Sequence, residues 1–336
     1  MKSTPTTVAL FLSAFLLSAA LQAQKAPATT PTTTPAATTA TTQQPSTKPA
    51  LQLMSRVVVI GASLSNGFAS GLKLASALDP GIKIEHTRVR DYSTSAFFMN
   101  PRRYGKQVMD RALKKKPTLL VGLDYTFWYG YGYVFPRDVA DNTGLRASKE
   151  TLAKKTLAMR LEKFEVGLAQ LDRYDGPLVL GDIPDMTGAD PKMLSRNQIP
   201  TEPELLALNK RLAEWVEARR KRGKKTMLFS LGSMVSMMKA NKLMLPTTPD
   251  GKHKARALSG KEVMTWDKLH PSKVGVVLLV GKLFDQMKTY FGKDVEGQLA
   301  YDIWREFDNR NVLGKLLHPL EEDAGSKESP SSQPGK

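Results

Sequence analysis

Three residues carry the chemistry most open to reading in this sequence. They are Ser63 in "RVVVIGASLS" (56–65), and Asp267 and His270 in "WDKLHPS" (266–272). A serine hydroxyl is a weak nucleophile until a neighbouring base takes its proton. A histidine serves as that base when a carboxylate fixes its tautomer and stabilises its cation. Asp267 lies three residues before His270, so one short turn can present base and orienter together. Ser63 is far from both in the chain, so only a fold that returns them to one edge can join them. The plainer readings are a turn or cap serine, a part that Ser65 could fill equally well, and a packing histidine. The other histidines, His86, His253 and His318, show no ligand spacing. Neither a metal nor any other cofactor is therefore expected.

The elements that must position these residues are legible as short apolar runs alternating with helical patterns. "RVVVIG" (56–61), "IKIEHTRV" (82–89), "TLLVGL" (118–123), "PLVLG" (177–181) and "TMLFSL" (226–231) read as five strands. Most are continuous apolar runs, as in parallel strands buried on both faces. Helices are expected near 67–79, 102–116, 148–173, 201–222, 271–290 and 295–309. Thr201 and Glu204 have the spacing of a capping box. Leu205, Leu208, Leu212 and Val216 make one apolar stripe behind them, and Gly223 stands at the stop. The alternation predicts an α/β fold, a three-layer α/β/α sandwich with a mostly parallel five-stranded sheet of flavodoxin-like type. Ligands bind outside the carboxyl ends of such strands. Ser63 ends the first strand there, Asp124 ends the third in "GLDY" (122–125), and His270 precedes the last long helix.

With those blocks in that order, the chain resembles the SGNH/GDSL hydrolases. "GASLS" stands where the family's G-D-S-L-S block falls, "DKLHPS" where D-x-x-H-P falls, and "GLDY" where G-x-N-D falls. The likeness spans nearly all of 56–290. It implies that Ser63 attacks an ester carbonyl, that His270 is base and then acid, and that Asp267 orients His270. It also implies an oxyanion hole built from the Ser63 N–H, a second-block glycine and a third-block asparagine. The second-block region here, "DYSTSAFF" (91–98), has no glycine, so Ser95 or Ala96 must offer a backbone N–H. Asp124 occupies the asparagine position, and an ionised carboxylate only accepts hydrogen bonds. Two ways out exist: Asp124 held protonated by desolvation, or Asp124 turned away with Asn66 donating instead.

The flanks read differently. Residues 1–23, with Lys2 before "VALFLSAFLLSAAL", have the pattern of a secretory signal peptide. Residues 24–50 are Thr, Pro and Ala, too poor in large apolar side chains to order themselves. The tail 321–336 reads the same way, leaving 51–320 as the folded SGNH-hydrolase-like domain. A periplasmic or secreted protein is expected, without a membrane-spanning segment once the leader is removed. There is no cysteine, hence no disulfide framework.

The formal net charge is +17, and +16 falls on 51–320 after three leader and linker lysines and a tail of net −2 are set aside. Such a bias favours anionic partners, a surface polymer or glycan, over neutral ones. "ARRKRGKK" (218–225) suits a helix C-terminus. No aromatic interleaves with it, so nucleic acid is not expected as a partner. "YTFWYGYGYVF" (125–135) offers rings to a pocket or packs upon itself, and the basic stretch 239–261 gates the site or is a solvated insertion. Asp182 and Asp185 in "GDIPDMTG" are read as turn chemistry around Pro184. Together these features predict an exported serine esterase acting on an O-acylated carbohydrate or other small ester. The alternatives are a lipase or lysophospholipase with the same triad, and a non-catalytic binder of anionic glycans or surfaces on the same scaffold.

Overall fold

The computed structural model describes residues 52–134 and 148–317. The expected signal peptide, linker and tail, together with His318 and Phe135, lie outside those residues. Five strands, β1 (Val57–Val59), β2 (Arg90–Asp91), β3 (Leu119–Gly122), β4 (Leu178–Gly181) and β5 (Thr226–Phe229), form one sheet in the order β2-β1-β3-β4-β5. Every neighbouring pair is parallel. β1, β3 and β4 are buried at every position, because their runs of Val, Leu and Ile have no polar face to give to water. The two-residue strands β6 (Met244–Leu245) and β7 (Arg256–Ala257) pair antiparallel as a separate ribbon within the basic stretch.

The helices are α1 (Ser63–Asn66), α2 (Leu74–Leu78), α3 (Pro101–Leu113), α4 (Phe127–Gly130), α5 (Lys149–Leu171) and α6 (Glu202–Lys221). They continue with α7 (Leu231–Lys239), α8 (Gly260–Val263), α9 (Lys273–Phe291), α10 (Ile303–Asn309) and α11 (Leu313–Leu317). α3, α5 and α6 pack in sequence as one layer, and α2, α9 and α10 form the other, giving the expected three-layer α/β/α architecture. α6 opens with the capping box foreseen: the Thr201 N–H donates to Glu204 Oε2 at 2.8 Å. α9 is capped by Ser272, whose hydroxyl accepts from the Gly275 N–H. Residues 274–280 of α9 are buried without a break, as a helix apolar on all sides must be.

Three expectations need correction. The helix expected over 295–309 is only α10, because Gly292–Val295 form a 3-10 turn and the chain is not helical again until Ile303. The second strand is not 82–89 but only Arg90–Asp91. Ile82 and Lys83 instead bond with the segment around Leu299, and the polar residues from Glu85 to Arg88 have no apolar face to bury. The helix expected over 67–79 is only α2, which starts at Leu74, and α1 lies before it. Gly67 and Gly71, both at positive φ, turn the chain between them, and a Cβ on Gly67 would come within 2.6 Å of the Leu72 backbone. The sheet order places the crossover reversal between β1 and β3, the crevice where such folds bind ligands.

Candidate active site

β1 delivers Ser63 to that crevice. Its ladder continues beyond the strand proper, with the Ile60 N–H donating to Val121 O and the Tyr92 and Thr94 N–H groups donating to Val59 O and Gly61 O. The last two bonds carry the second edge of the sheet forward. The 3-10 turn of Ser95–Met99 is thereby set beside α1. Asn66 fastens the two: its amide donates to Ser93 O at 3.3 Å. The Asn66 amide is thus directed at a backbone carbonyl, and Asn66 does not line the cavities at Ser63.

Asp124, at the end of β3, is fully occupied by the turn that carries Ser63. Its Oδ1 accepts from the Ala62 N–H at 3.1 Å and from the Ser65 hydroxyl at 2.5 Å. Its Oδ2 accepts from the Leu64 N–H at 2.9 Å and the Ser65 N–H at 3.3 Å. Burial pushes this carboxyl up, against the opposing pull of the Ser65 hydroxyl and the three N–H groups. Of the second way out foreseen from sequence, only half is present: Asp124 faces the backbone of the Ser63 turn, but Asn66 does not donate in its place. Gly61 makes room for the carboxyl, since a Cβ there would lie 2.1 Å from Asp124 Oδ1, and its φ is +149°.

Asp124 takes the N–H groups of residues 62, 64 and 65 and skips Ser63. Among the described residues the Ser63 N–H makes no hydrogen bond. The two second-block candidates also differ. The Ala96 N–H reaches Thr94 Oγ1 at 3.3 Å, whereas the Ser95 N–H has no partner among the described residues. Ser95 and Ala96 line one cavity with Ser63 and His270. Of these turn and second-block N–H groups, those of Ser63 and Ser95 are left without a partner among the described residues.

His270 arrives on a tight loop before α9. Met264 bridges Pro271, the Thr265 N–H donates to His270 O, and Lys268 adopts a left-handed φ of +53° at the tip. Asp267 is wholly buried beneath this loop and accepts four hydrogen bonds. Thr265 Oγ1 donates at 2.6 Å, the Leu269 and His270 N–H groups at 2.9 and 3.0 Å, and His270 Nδ1 at 2.7 Å. Burial alone would raise the Asp267 carboxyl, but these bonds, that of His270 foremost, outweigh it and hold it well below the usual carboxylate range. A carboxylate accepts only, so the Nδ1 proton is fixed by this contact and Nε2 of the neutral ring carries the lone pair. Nε2 is buried with no hydrogen-bond partner among the described residues. The Phe68 ring, 5.1 Å away and tilted by 57°, covers the imidazole.

Ser63 and His270 together line two adjoining cavities. One is a slot walled by Phe127, Met186, Leu231, Val235 and Met238; the other is an open groove carrying Phe68, Phe98, Met99, Trp128 and Lys192. The aromatic stretch is thus divided. Phe127 and Trp128 reach the cavities, while the Tyr125, Tyr129 and Tyr131 hydroxyls donate to the carbonyls of Gly105, Pro101 and Pro184 and belong to the core. Residues 239–261 line neither cavity. Lys239 instead donates to Asp185 O and Thr187 O, fastening the 182–187 loop that supplies Pro184 and Met186. Asp185 performs the expected turn duty, accepting from the Thr187 N–H, whereas Asp182 instead accepts from the Gly232 N–H in the first turn of α7.

Sequence reasoning missed Ser65, Thr265, Phe68 and the walls of the slot. A second serine two residues after Ser63, and a threonine two before Asp267, were the available signals for the first two. The slot has no such signal because it is assembled from six separate segments. Among the described residues no helix is long and apolar enough to cross a membrane, and no group of three or more His, Asp or Glu side chains is placed to hold a metal.

No protein-family model and no curated protein matches the sequence. Three solved structures have a similar fold over about 70% of the chain. A gut microbial diltiazem-metabolizing enzyme matches at 13% identity and TM-score 0.37, over 70% of this chain and 47% of its own. A candidate acylhydrolase from Bacteroides fragilis matches at 15% and 0.36, over 72% of this chain and 87% of its own. A GDSL-like lipase from Bacteroides thetaiotaomicron matches at 14% and 0.35, over 72% and 88%. This chain spans less than half of the first of these proteins, and likeness of this degree carries no argument about chemistry.

Proposed function

We propose that this chain is an exported serine ester hydrolase that deacylates an O-acylated carbohydrate or another small ester. One observation carries the reading. His270 is oriented through Nδ1 by a buried carboxylate, its Nε2 has no hydrogen-bond partner among the described residues, and the residue lines the same two cavities as Ser63. In the proposed reaction Ser63 Oγ attacks the ester carbonyl while Nε2 takes its proton. The oxyanion is met by the Ser63 and Ser95 N–H groups. Nε2 then returns the proton to the departing alkoxide, which leaves as the alcohol. Water, deprotonated by the same nitrogen, attacks the acyl-enzyme and releases the carboxylic acid, and Ser63 recovers its proton. Hydrogen bonds between nucleophile and base commonly tighten only once substrate is bound.

Aromatic faces on the open groove, Trp128 and Phe98 with ring centroids 5.7 Å apart, suit the flat apolar face of a sugar ring. A lipase or lysophospholipase would use the same residues. The non-catalytic reading, a binder of anionic glycans or surfaces, leaned on a carboxylate at the oxyanion position. With Asp124 committed to the nucleophile turn, only the basic surface favours it.

The test is hydrolysis of p-nitrophenyl acetate together with labelling by a fluorophosphonate probe. Ser63→Ala and His270→Ala should each lower kcat by more than about 10⁴-fold, and Ser63→Ala should abolish labelling. Full activity in Ser63→Ala would remove the nucleophile assignment.

A further inference from the structure

We infer that the slot behind Ser63 and His270 is an acyl pocket for acetyl or propionyl groups, and that the open groove receives a bulky alcohol. The inference rests on the hydrolase reading above and deepens it. The two cavities differ in size and in wall chemistry. The slot leaves about 30 Å³ for the centres of water-sized groups, and the groove about 450 Å³. One water-sized group needs roughly 10–15 Å³ of such space, so the slot holds about two or three. That is a methyl or ethyl group beside the carbonyl. Apart from Ser63, Asp124 and His270, the slot's lining is apolar, with Phe127, Met186, Leu231, Val235, Met238 and Leu279 among the walls, and it holds no Lys or Arg to meet an anionic acyl group.

Size alone leaves two orientations: a small acyl group in the slot with a large alcohol in the groove, or a methyl ester lying the other way round. The second half of the reaction decides between them. After the alcohol departs, the acyl group stays on Ser63 Oγ, and water must reach the carbonyl carbon beside His270 Nε2. Water enters where the alcohol left. The groove has room for water and bears Lys192 and Ser95, whereas the slot, with space for only about two or three water-sized groups, is filled by the acyl group itself. The leaving group therefore belongs to the groove and the acyl group to the slot. The thioethers of Met186 and Met238 give the slot enough adaptability for propionyl as well as acetyl.

The experiment uses the isomeric alkyl esters benzyl acetate and methyl phenylacetate, which have the same atoms and similar intrinsic reactivity with acyl and alcohol exchanged. The purified chain should cleave benzyl acetate with a kcat/KM at least tenfold above that for methyl phenylacetate. Across p-nitrophenyl acetate, butyrate and octanoate, kcat/KM should fall at least tenfold by octanoate. In Met238→Ala, or in Met186→Ala should that variant fold better, the octanoate-to-acetate ratio should rise at least tenfold. Faster cleavage of methyl phenylacetate, octanoate hydrolysis within tenfold of acetate, or an unchanged ratio in a folded variant overturns the acyl-pocket assignment. Those outcomes leave Ser63 hydrolysis standing. The absence of all hydrolysis and of fluorophosphonate labelling at Ser63 overturns the hydrolase reading itself, and this inference with it.

Discussion

Asp267 is the residue whose contribution can be separated most cleanly from its surroundings. Its carboxyl is held well below the usual range despite burial, because His270, Thr265, and the N–H groups of Leu269 and His270 all donate to it. A depressed folded-state value means that this stabilisation is complete above the unfolded value of about pH 4. It is lost as pH falls towards the folded value. The unfolding free-energy difference between the wild type and Asp267→Asn should therefore be constant above pH 5. Below pH 4 it should shrink by about 1.4 kcal/mol per unit, as read by denaturant unfolding at each pH. At neutral pH the same variant should lose roughly 10⁴-fold in ester hydrolysis, because an amide can hold the wrong tautomer. A stability difference that is the same at pH 3 and pH 7 would contradict this account. The Asp267–His270 contact was legible because a carboxylate and an imidazole three residues apart are joined by one turn, and the meeting of Ser63 with His270 at the same cavities because both stand at the carboxyl edge of the sheet. The direction in which Asp124 faces was not legible, since residue type says that a carboxylate accepts but not from whom.

At the scale of elements, the turn from β1 into α1 is held from behind by one side chain of β3's end. Asp124 collects three N–H groups and one hydroxyl that the short α1 cannot satisfy internally. It leaves only the Ser63 N–H for chemistry. Asp124→Asn should therefore not improve an oxyanion hole, although it restores the residue type of the resembled family. The new NH₂ would face either the Leu64 and Ser65 N–H groups or the Ala62 N–H and Ser65 hydroxyl, leaving buried donors unpaired at about 1–3 kcal/mol each. Thermal unfolding should show that loss, and kcat for p-nitrophenyl acetate should fall with KM little changed. A rise in kcat would show instead that Asp124 faces the substrate. Long elements were readable because continuous apolar runs and the Thr201–Glu204 cap speak locally. The 82–89 segment was misread because its backbone partners around Leu299 lie more than two hundred residues away. α4 and α7 were too short to show a period, and they carry much of the slot's wall.

The whole molecule contributes a field. A formal net charge of +17 is an excess of cations that no pairing within the chain can cancel, and its effect on an anionic ester is long-range and screened by salt. Lys192 brings that positive bias to the edge of the groove beside Ser63. Two acetyl esters of similar shape separate this effect from the chemistry: neutral phenyl acetate and the carboxylate 4-acetoxybenzoate. Raising ionic strength from 0.01 to 0.15 M shortens the Debye length from about 30 to about 8 Å. Over that range kcat/KM for 4-acetoxybenzoate should fall several-fold, while that for phenyl acetate should change by less than about twofold. Lys192→Gln should reduce part of the salt dependence and leave phenyl acetate hydrolysis intact. Equal salt responses for the two esters would assign the basic surface to solubility alone. A selective response would make the charge a means of gathering anionic, acyl-bearing material to the groove.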